Sequence, residues 1–239
     1  MPTKFYNDDV IRQLSTTDIG SATKLGKVAA DESVDERISE IADLVRSIIF
    51  IHMSQESVVD DLGKRLLRLV GIGRIDGVSI LGPRELSYTR NNRREIHAKP
   101  EVVVEIMGGT IIVVVQEDKS TKSNEIQDVE AQLVAQMVVA YINNLSFIDS
   151  KNQTMYGVTL LGTQPTFYKM QLTADIAFSI IEGKSSSTTL TTLYRYALDI
   201  RKPTFIMDGP ENVLHMMSCY QALRNIVEES IVRFKPQLA

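Results

Sequence analysis

Val102-Val103-Val104-Glu105-Ile106, then Gly108-Gly109, then Thr110-Ile111-Ile112-Val113-Val114-Val115-Gln116-Glu117-Asp118-Lys119 is the stretch on which the fold turns. Both runs are dense in β-branched residues, whose stiff side chains suit a pleated sheet. A Gly-Gly pair between two such runs predicts a tight hairpin turn. The second run is apolar with almost no alternation, which predicts a central strand buried on both faces. Its end is abruptly charged. Side chains alternate along a strand, so Glu117 and Lys119 share a direction and Asp118 takes the other. The hairpin also brings Glu101, beside Pro100 at the start of the first strand, to the end of the second.

Working outward, Ser54 is a candidate cap for a helix carrying Val58, Leu62, Leu66 and Leu69, with Gly71 and Gly73 ending it. Before it, Val34, Ile38, Ile41, Val45, Ile48 and Ile49 predict another helix, with Asp31 or Ser33 as cap. Residues 1–50 are assigned as a helical N-terminal arm and residues 51–239 as a single globular domain. Val78–Leu81 is a short expected strand, and Arg84–Lys99 a polar, basic loop or hairpin. After the charged tripeptide, Glu125–Ile142 is expected to be helical, with Ile126, Val129, Leu133, Met137 and Ala140 on one side. Strands are expected over Thr154–Leu161 and Thr166–Leu172, with a turn at Gly162–Pro165. Helices are expected over Leu190–Ile200 and from about Glu211 to Phe234. The fold class is therefore α/β: a mixed β-sheet flanked by helices.

Composition narrows the chemistry. In 239 residues, 44% are hydrophobic and 23% charged, as in an ordinary globular protein. The net charge of −4 argues against a protein coated in basic residues for duplex DNA, so any nucleic-acid contact must be local. A single cysteine, Cys219, leaves no intrachain disulfide and no cysteine-based zinc site. His52, His97 and His215 lack ligand spacing. The longest apolar stretch, Ile111–Val115, is far short of the roughly 20 residues that span a bilayer, so no membrane partner is expected. No targeting segment is read at the start, and an intracellular, reducing compartment (cytosol or nucleus) is the expectation.

Two carboxylates and a lysine at one strand edge suit metal-assisted hydrolysis. Carboxylates bind hard cations such as Mg2+ or Mn2+, and a lysine places fixed positive charge near a developing oxyanion. The plainer explanation is that charges follow a buried strand because the chain leaves the core there. The paired Glu101, the hairpin and the helix that follows weigh against that explanation. Arg84, Arg90, Arg93, Arg94 and Lys99 form a basic stretch suited to phosphate contacts, though Glu85 and Glu95 interrupt it. Phe167-Tyr168 suits packing at a sheet edge, and Met216-Met217 suits a core.

Pro100-Glu101, a hairpin, and Glu117-Asp118-Lys119 resemble the PD-(D/E)XK motif of restriction-endonuclease-like proteins. Together with Glu130-Ala131-Gln132-Leu133-Val134-Ala135 and Gly162-Thr163-Gln164-Pro165-Thr166-Phe167-Tyr168-Lys169, they are similar to a group of fungal proteins with this core. The likeness covers roughly residues 50 to 205. It implies a restriction-endonuclease-like sheet and a nuclease whose catalytic residues are Glu101, Glu117, Lys119 and Gln132. With Glu56 it implies a metal site of Glu56, Glu101 and Glu117, holding Mg2+ or Mn2+, to which the Asp118 carbonyl adds a candidate oxygen ligand; nucleic-acid contacts are expected, from the basic stretch itself, at Arg90, Arg93, Arg94 and Lys99. Glu101 departs from the family's aspartate by one methylene, and a misplacement near 1 Å can cost about a hundredfold in rate. A catalytically degenerate fold that binds a protein partner or a second copy is therefore the alternative. A purely helical adaptor using residues 31–70 is a third.

Overall fold

The computed structural model describes residues 56–91, 93–106, 108–118, 126–147, 152–161, 164–184, 191–197 and 210–234. The N-terminal arm, the caps at Asp31, Ser33 and Ser54, and Lys119 lie outside them. Side chains of 56–61 and 116–118 lie outside as well, although their backbone is described.

Helix α1 (Glu56–Leu69) forms as its apolar stripe predicts, with Leu62, Leu66 and Leu67 fully buried. Gly71 ends it at φ +81, a left-handed conformation that glycine adopts without steric cost, and its N–H bonds to the Arg68 carbonyl at 2.9 Å. Strands β1 (Val78–Leu81), β2 (Leu86–Arg90), β3 (Arg94–Ala98), β4 (Val102–Ile106) and β5 (Thr110–Asp118) follow. Then come α2 (Ile126–Asn144), β6 (Asn152–Leu161), β7 (Gln164–Thr173), α3 (Ala174–Ile181), β8 (Leu193–Ala197) and α4 (Pro210–Phe234).

Among the described residues, six strands form one sheet in the order β1-β4-β5-β6-β7-β8. All neighbours are antiparallel except β5 and β6, which run parallel. A parallel pair needs a crossover, and α2 lies in it. The expected mixed sheet between helices is present. One face packs on α1 and α4, through Leu62, Leu66, Met216, Tyr220 and Leu223. The other packs on α2 and α3 and on the β2–β3 hairpin, through Leu133, Met137, Ala177 and Leu86. That hairpin is a separate two-stranded sheet.

Every residue of β4 is buried, as is β5 from Thr110 to Val115, so the expectation of a doubly covered centre holds. Alternation fails at one point inside this centre. Val104 pairs with Val113, but Glu105 pairs with Ile111, which leaves Ile112 as an extra residue. Ile112 and Val113 accordingly line the same core, while Ile111 and Val114 line the other. This is a β-bulge, with two residues of one strand opposite one of its partner. Beyond it, the phase of β5 is shifted by one position.

Buried side-chain amides hold the start of β5. Asn144, at the end of α2, accepts the Ile111 N–H at 2.8 Å and donates to the Ile111 carbonyl at 2.6 Å. Gln153 in β6 donates to that carbonyl at 3.2 Å and accepts from Asn144 at 3.0 Å. An amide side chain offers a donor and an acceptor side by side, as a peptide group does, so Asn144 supplies a missing ladder rung next to the bulge. The same bonds show that α2 runs back along β5, with its first turns at the charged end of the strand.

Some expectations are corrected. Where a helix is expected over Leu190–Ile200, the described residues Leu193–Ala197 form the strand β8, paired with β7 from Thr166↔Ala197 to Met170↔Leu193. Leu193 turns toward the α2 core and Tyr196 toward the α4 core, the period of two that a half-buried strand requires. Helix α3 occupies a segment to which the sequence pattern assigns nothing; the Thr173 hydroxyl caps it by accepting the Ile176 N–H at 3.4 Å. Strand β4 ends at Ile106 and β5 begins at Thr110, with Gly108 between them at φ +77. Phe167 and Tyr168 are buried in an interior strand, because β8 covers β7.

Candidate functional site

The charged end of β5 sits between β4 and β6. Gln116, Glu117 and Asp118 pair along the backbone with Thr159, Leu160 and Leu161. On the other side Val115 pairs with Val102, so Glu101, one residue ahead of Val102, lies level with the end of β5. The hairpin therefore brings the Glu101 and Glu117 positions to one end of the sheet.

Phase along the strands adds a condition. Val102 and Val115 both line the α1–α4 core. Glu117 is two residues past Val115 and in phase with it. Glu101 is one residue from Val102, out of phase, in the bend after Pro100. Its side chain is half-buried and already engaged by another group. A shared ion requires that bend to turn the Glu101 carboxylate across the strand. Of the candidate metal ligands, only Glu101 has a described side chain; those of Glu56, Glu117 and Asp118 lie outside. Among the described residues, no three His, Cys, Asp or Glu side chains are grouped to hold a metal ion.

Gln132 is exposed on α2, between the buried Val129 and Leu133. The polar residue that turns inward there is Glu130. Its carboxylate accepts the Tyr168 hydroxyl at 2.9 Å and pairs with Arg195 Nε at 3.0 Å. Burial pushes the Tyr168 phenol up to about 12, with the adjacent Glu130 carboxylate acting in the same direction. Glu130 and Arg195 were not singled out by the sequence. They are far apart along the chain, and only the pairing of Tyr168 with Arg195 across β7 and β8 joins them.

The basic stretch is divided. Lys99 is exposed beside Pro100, near the charged end of β5. Arg90, Arg93 and Arg94 are exposed at the tip of the β2–β3 hairpin, which rests on the end of α3: the Asn91 N–H bonds to the Ile181 carbonyl at 2.8 Å. A Cβ added to Gly183 would lie 2.9 Å from Arg90 Nε, so the guanidinium packs close to the chain leaving α3. Arg90 and Arg94 are direct cross-strand partners, an unfavourable like-charge pairing. The negative end of the α3 dipole offsets it. Along the hairpin, Ser87 donates to Glu95, and His97 sits between Glu85 and Glu95 at 3.1 and 3.6 Å.

On the opposite sheet face, Tyr196 hydrogen-bonds His215 Nε2, and the two rings stack with centroids 5.8 Å apart. Partial desolvation of the imidazole lowers its pKa, favouring a neutral ring that accepts from the phenol. Cys219, one turn along, is buried, and its thiol is pushed up to about 12, so it is no nucleophile at neutral pH.

No protein-family model matches the chain, and no curated protein matches it. No described helix is long and apolar enough to cross a membrane.

Proposed function

We propose that the protein is a divalent-metal-dependent phosphodiesterase acting on nucleic acid, of the PD-(D/E)XK kind. The observation that carries this reading is the order α1, β1, β4, β5, α2, β6, interrupted only by the β2–β3 hairpin, with β5 and β6 parallel. It supports a restriction-endonuclease-like assignment because the acidic end of the middle strand falls between a neighbouring glutamate and the helix that follows. In this reading Glu101 and Glu117, with Glu56 and the Asp118 position, hold Mg2+ or Mn2+. The ion supplies an activated water and charge neutralisation at phosphorus. Lys119 holds positive charge at the developing oxyanion.

A second reading, a degenerate fold that binds without cleaving, draws on the exposed Gln132 and the out-of-phase Glu101. Cleavage of single-stranded and duplex DNA and RNA in magnesium or manganese separates the two. The expected outcome is metal-dependent cleavage that drops about a hundredfold in Lys119→Ala and in Glu117→Gln, the loss typical of removing one transition-state contact. Cleavage that survives both substitutions would remove the metal site from consideration. No cleavage with either ion would leave the binding reading.

A further inference from the structure

A phosphodiesterase must hold its substrate's backbone as well as its scissile bond. Three of the four basic residues expected to do so sit at the hairpin tip against α3. Arg195 has the required features elsewhere. It lies on the α2 face of the sheet, next to Tyr168 in β7 and against the first turns of α2. Its side chain is 33% exposed, so solvent reaches part of it. Glu130 holds the guanidinium through Nε alone, and Tyr168 holds Glu130 from the other side. Among the described residues, the two Nη groups have no partner. They form the donor fork that matches a phosphate, already fixed in orientation by the Nε contact.

Arg195 lies on the α2 face, whereas the Glu117 position is in phase with Val115 on the α1–α4 face, so a bound strand that meets both passes around the end of the sheet. Arg195 is level with Tyr168, Gly157 and Val114, three residues back from Glu117 along β5 and three strands across. Strand spacing and rise put the two backbone positions roughly 17 Å apart. That is on the order of five nucleotides of duplex rise. From this geometry we infer that Arg195 contacts a backbone phosphate of bound nucleic acid a few nucleotides from the scissile bond, with Glu130 orienting it and limiting its affinity. The inference rests on the phosphodiesterase reading for its ligand. Glu130 and Tyr168 are positioning residues in it.

Two substitutions with opposite signs test it. Binding of short labelled DNA and RNA duplexes is followed by fluorescence anisotropy over a salt series, in the full chain carrying Glu117→Gln so that the probe survives. Arg195→Gln should weaken binding about tenfold, as expected for one charge-assisted bond. It should also lower the slope of log affinity against log salt by about 1. Glu130→Gln keeps an acceptor for Tyr168 but removes the competing charge, and should tighten binding severalfold. Arg195→Lys retains the cation and should keep the salt slope, which guards against misreading a folding defect. If Glu130→Gln weakens binding as Arg195→Gln does, the pair is only structural and the inference falls. Equal binding by all variants overturns it too, while cleavage by the unsubstituted chain leaves the phosphodiesterase reading intact. If the chain binds neither duplex, both fall.

Discussion

On the α1–α4 face, the residues between helices and sheet are Leu62, Leu66, Val113, Val158, Phe167 and their like. Phe167 and Tyr220 meet edge to face at 5.2 Å, and the Tyr196–His215 pair sits toward the margin. On the α2 face, Leu133, Met137 and Met155 share space with Asn144 and Gln153, while Glu130–Arg195 and Arg84–Glu105 ion pairs flank them. Apolar contacts depend on area and volume and tolerate sliding. Amide bonds to a particular peptide group tolerate none. The first face therefore supplies mainly stability. The second also fixes where α2 sits along β5, and so where the acidic end of β5 stands relative to the helix above it.

The contrast is sharpest for substitutions of similar size. Asn144→Leu strands the Ile111 N–H and leaves its carbonyl with only the Gln153 bond, so it should cost about 4 kcal/mol. Leu66→Met, a volume-conserving change in the other core, should cost less than about 1.5 kcal/mol. Urea denaturation of both variants measures this, and equal losses would erase the distinction between the faces.

A smaller effect is expected at Gly157, where β6 passes beneath α2. An added Cβ would fall 2.8 Å from a Leu133 methyl and 2.9 Å from the Met137 sulfur. Gly157→Ala should therefore cost about 2 kcal/mol from overpacking. In a double-mutant cycle, Leu133→Ala should offset part of that cost, because the closest atoms are gone. Strict additivity would mean that the helix moves away instead, and that the α2 face is less rigid than its hydrogen bonds imply.

The smallest effect separates the faces by pH. His215 has a folded pKa below the usual 6.5, so between the two values the unfolded chain holds more protons than the folded one. Stability should rise with pH across that window and be lost as pH falls from about 6.5 toward the lower folded value. His215→Asn should flatten this part of a melting-temperature profile. An unchanged profile would show that the Tyr196–His215 contact does not discriminate between protonation states.

How much of this was legible in the sequence follows from what each feature depends on. Strands β4 and β5 and helices α1, α2 and α4 are written in local period and β-branching, and they stand where expected to within a few residues. Helix α3 and strand β8 are short, and their state is decided by what they pack against; Leu-Tyr-Arg-Tyr-Ala becomes a strand because β7 has an edge to cover. The end of α2 reads as an ordinary polar terminus, and nothing local says that Asn144 is fully buried. At the candidate site, the joint location of Glu101 and Glu117 was legible because a hairpin enforces it. The phase between them was not, since a uniform isoleucine–valine run carries no mark of a bulge. Glu130 and Arg195 escaped because their contact joins α2 to β8, with three elements of the chain between them.

The extra residue at Ile112 has a bearing on how this chain is aligned with any other. A gap of one position in residues 110–114 looks trivial among interchangeable valines and isoleucines, and scoring by residue type has little basis for placing it. Yet a chain with the same count of residues from the hairpin but no bulge would pair Val104 with Ile112 and turn the Glu117 position to the other side of the sheet. Matching the letters of the acidic motif is thus not enough to equate two such sites; the count of residues from Val104's partner to the motif must agree in parity.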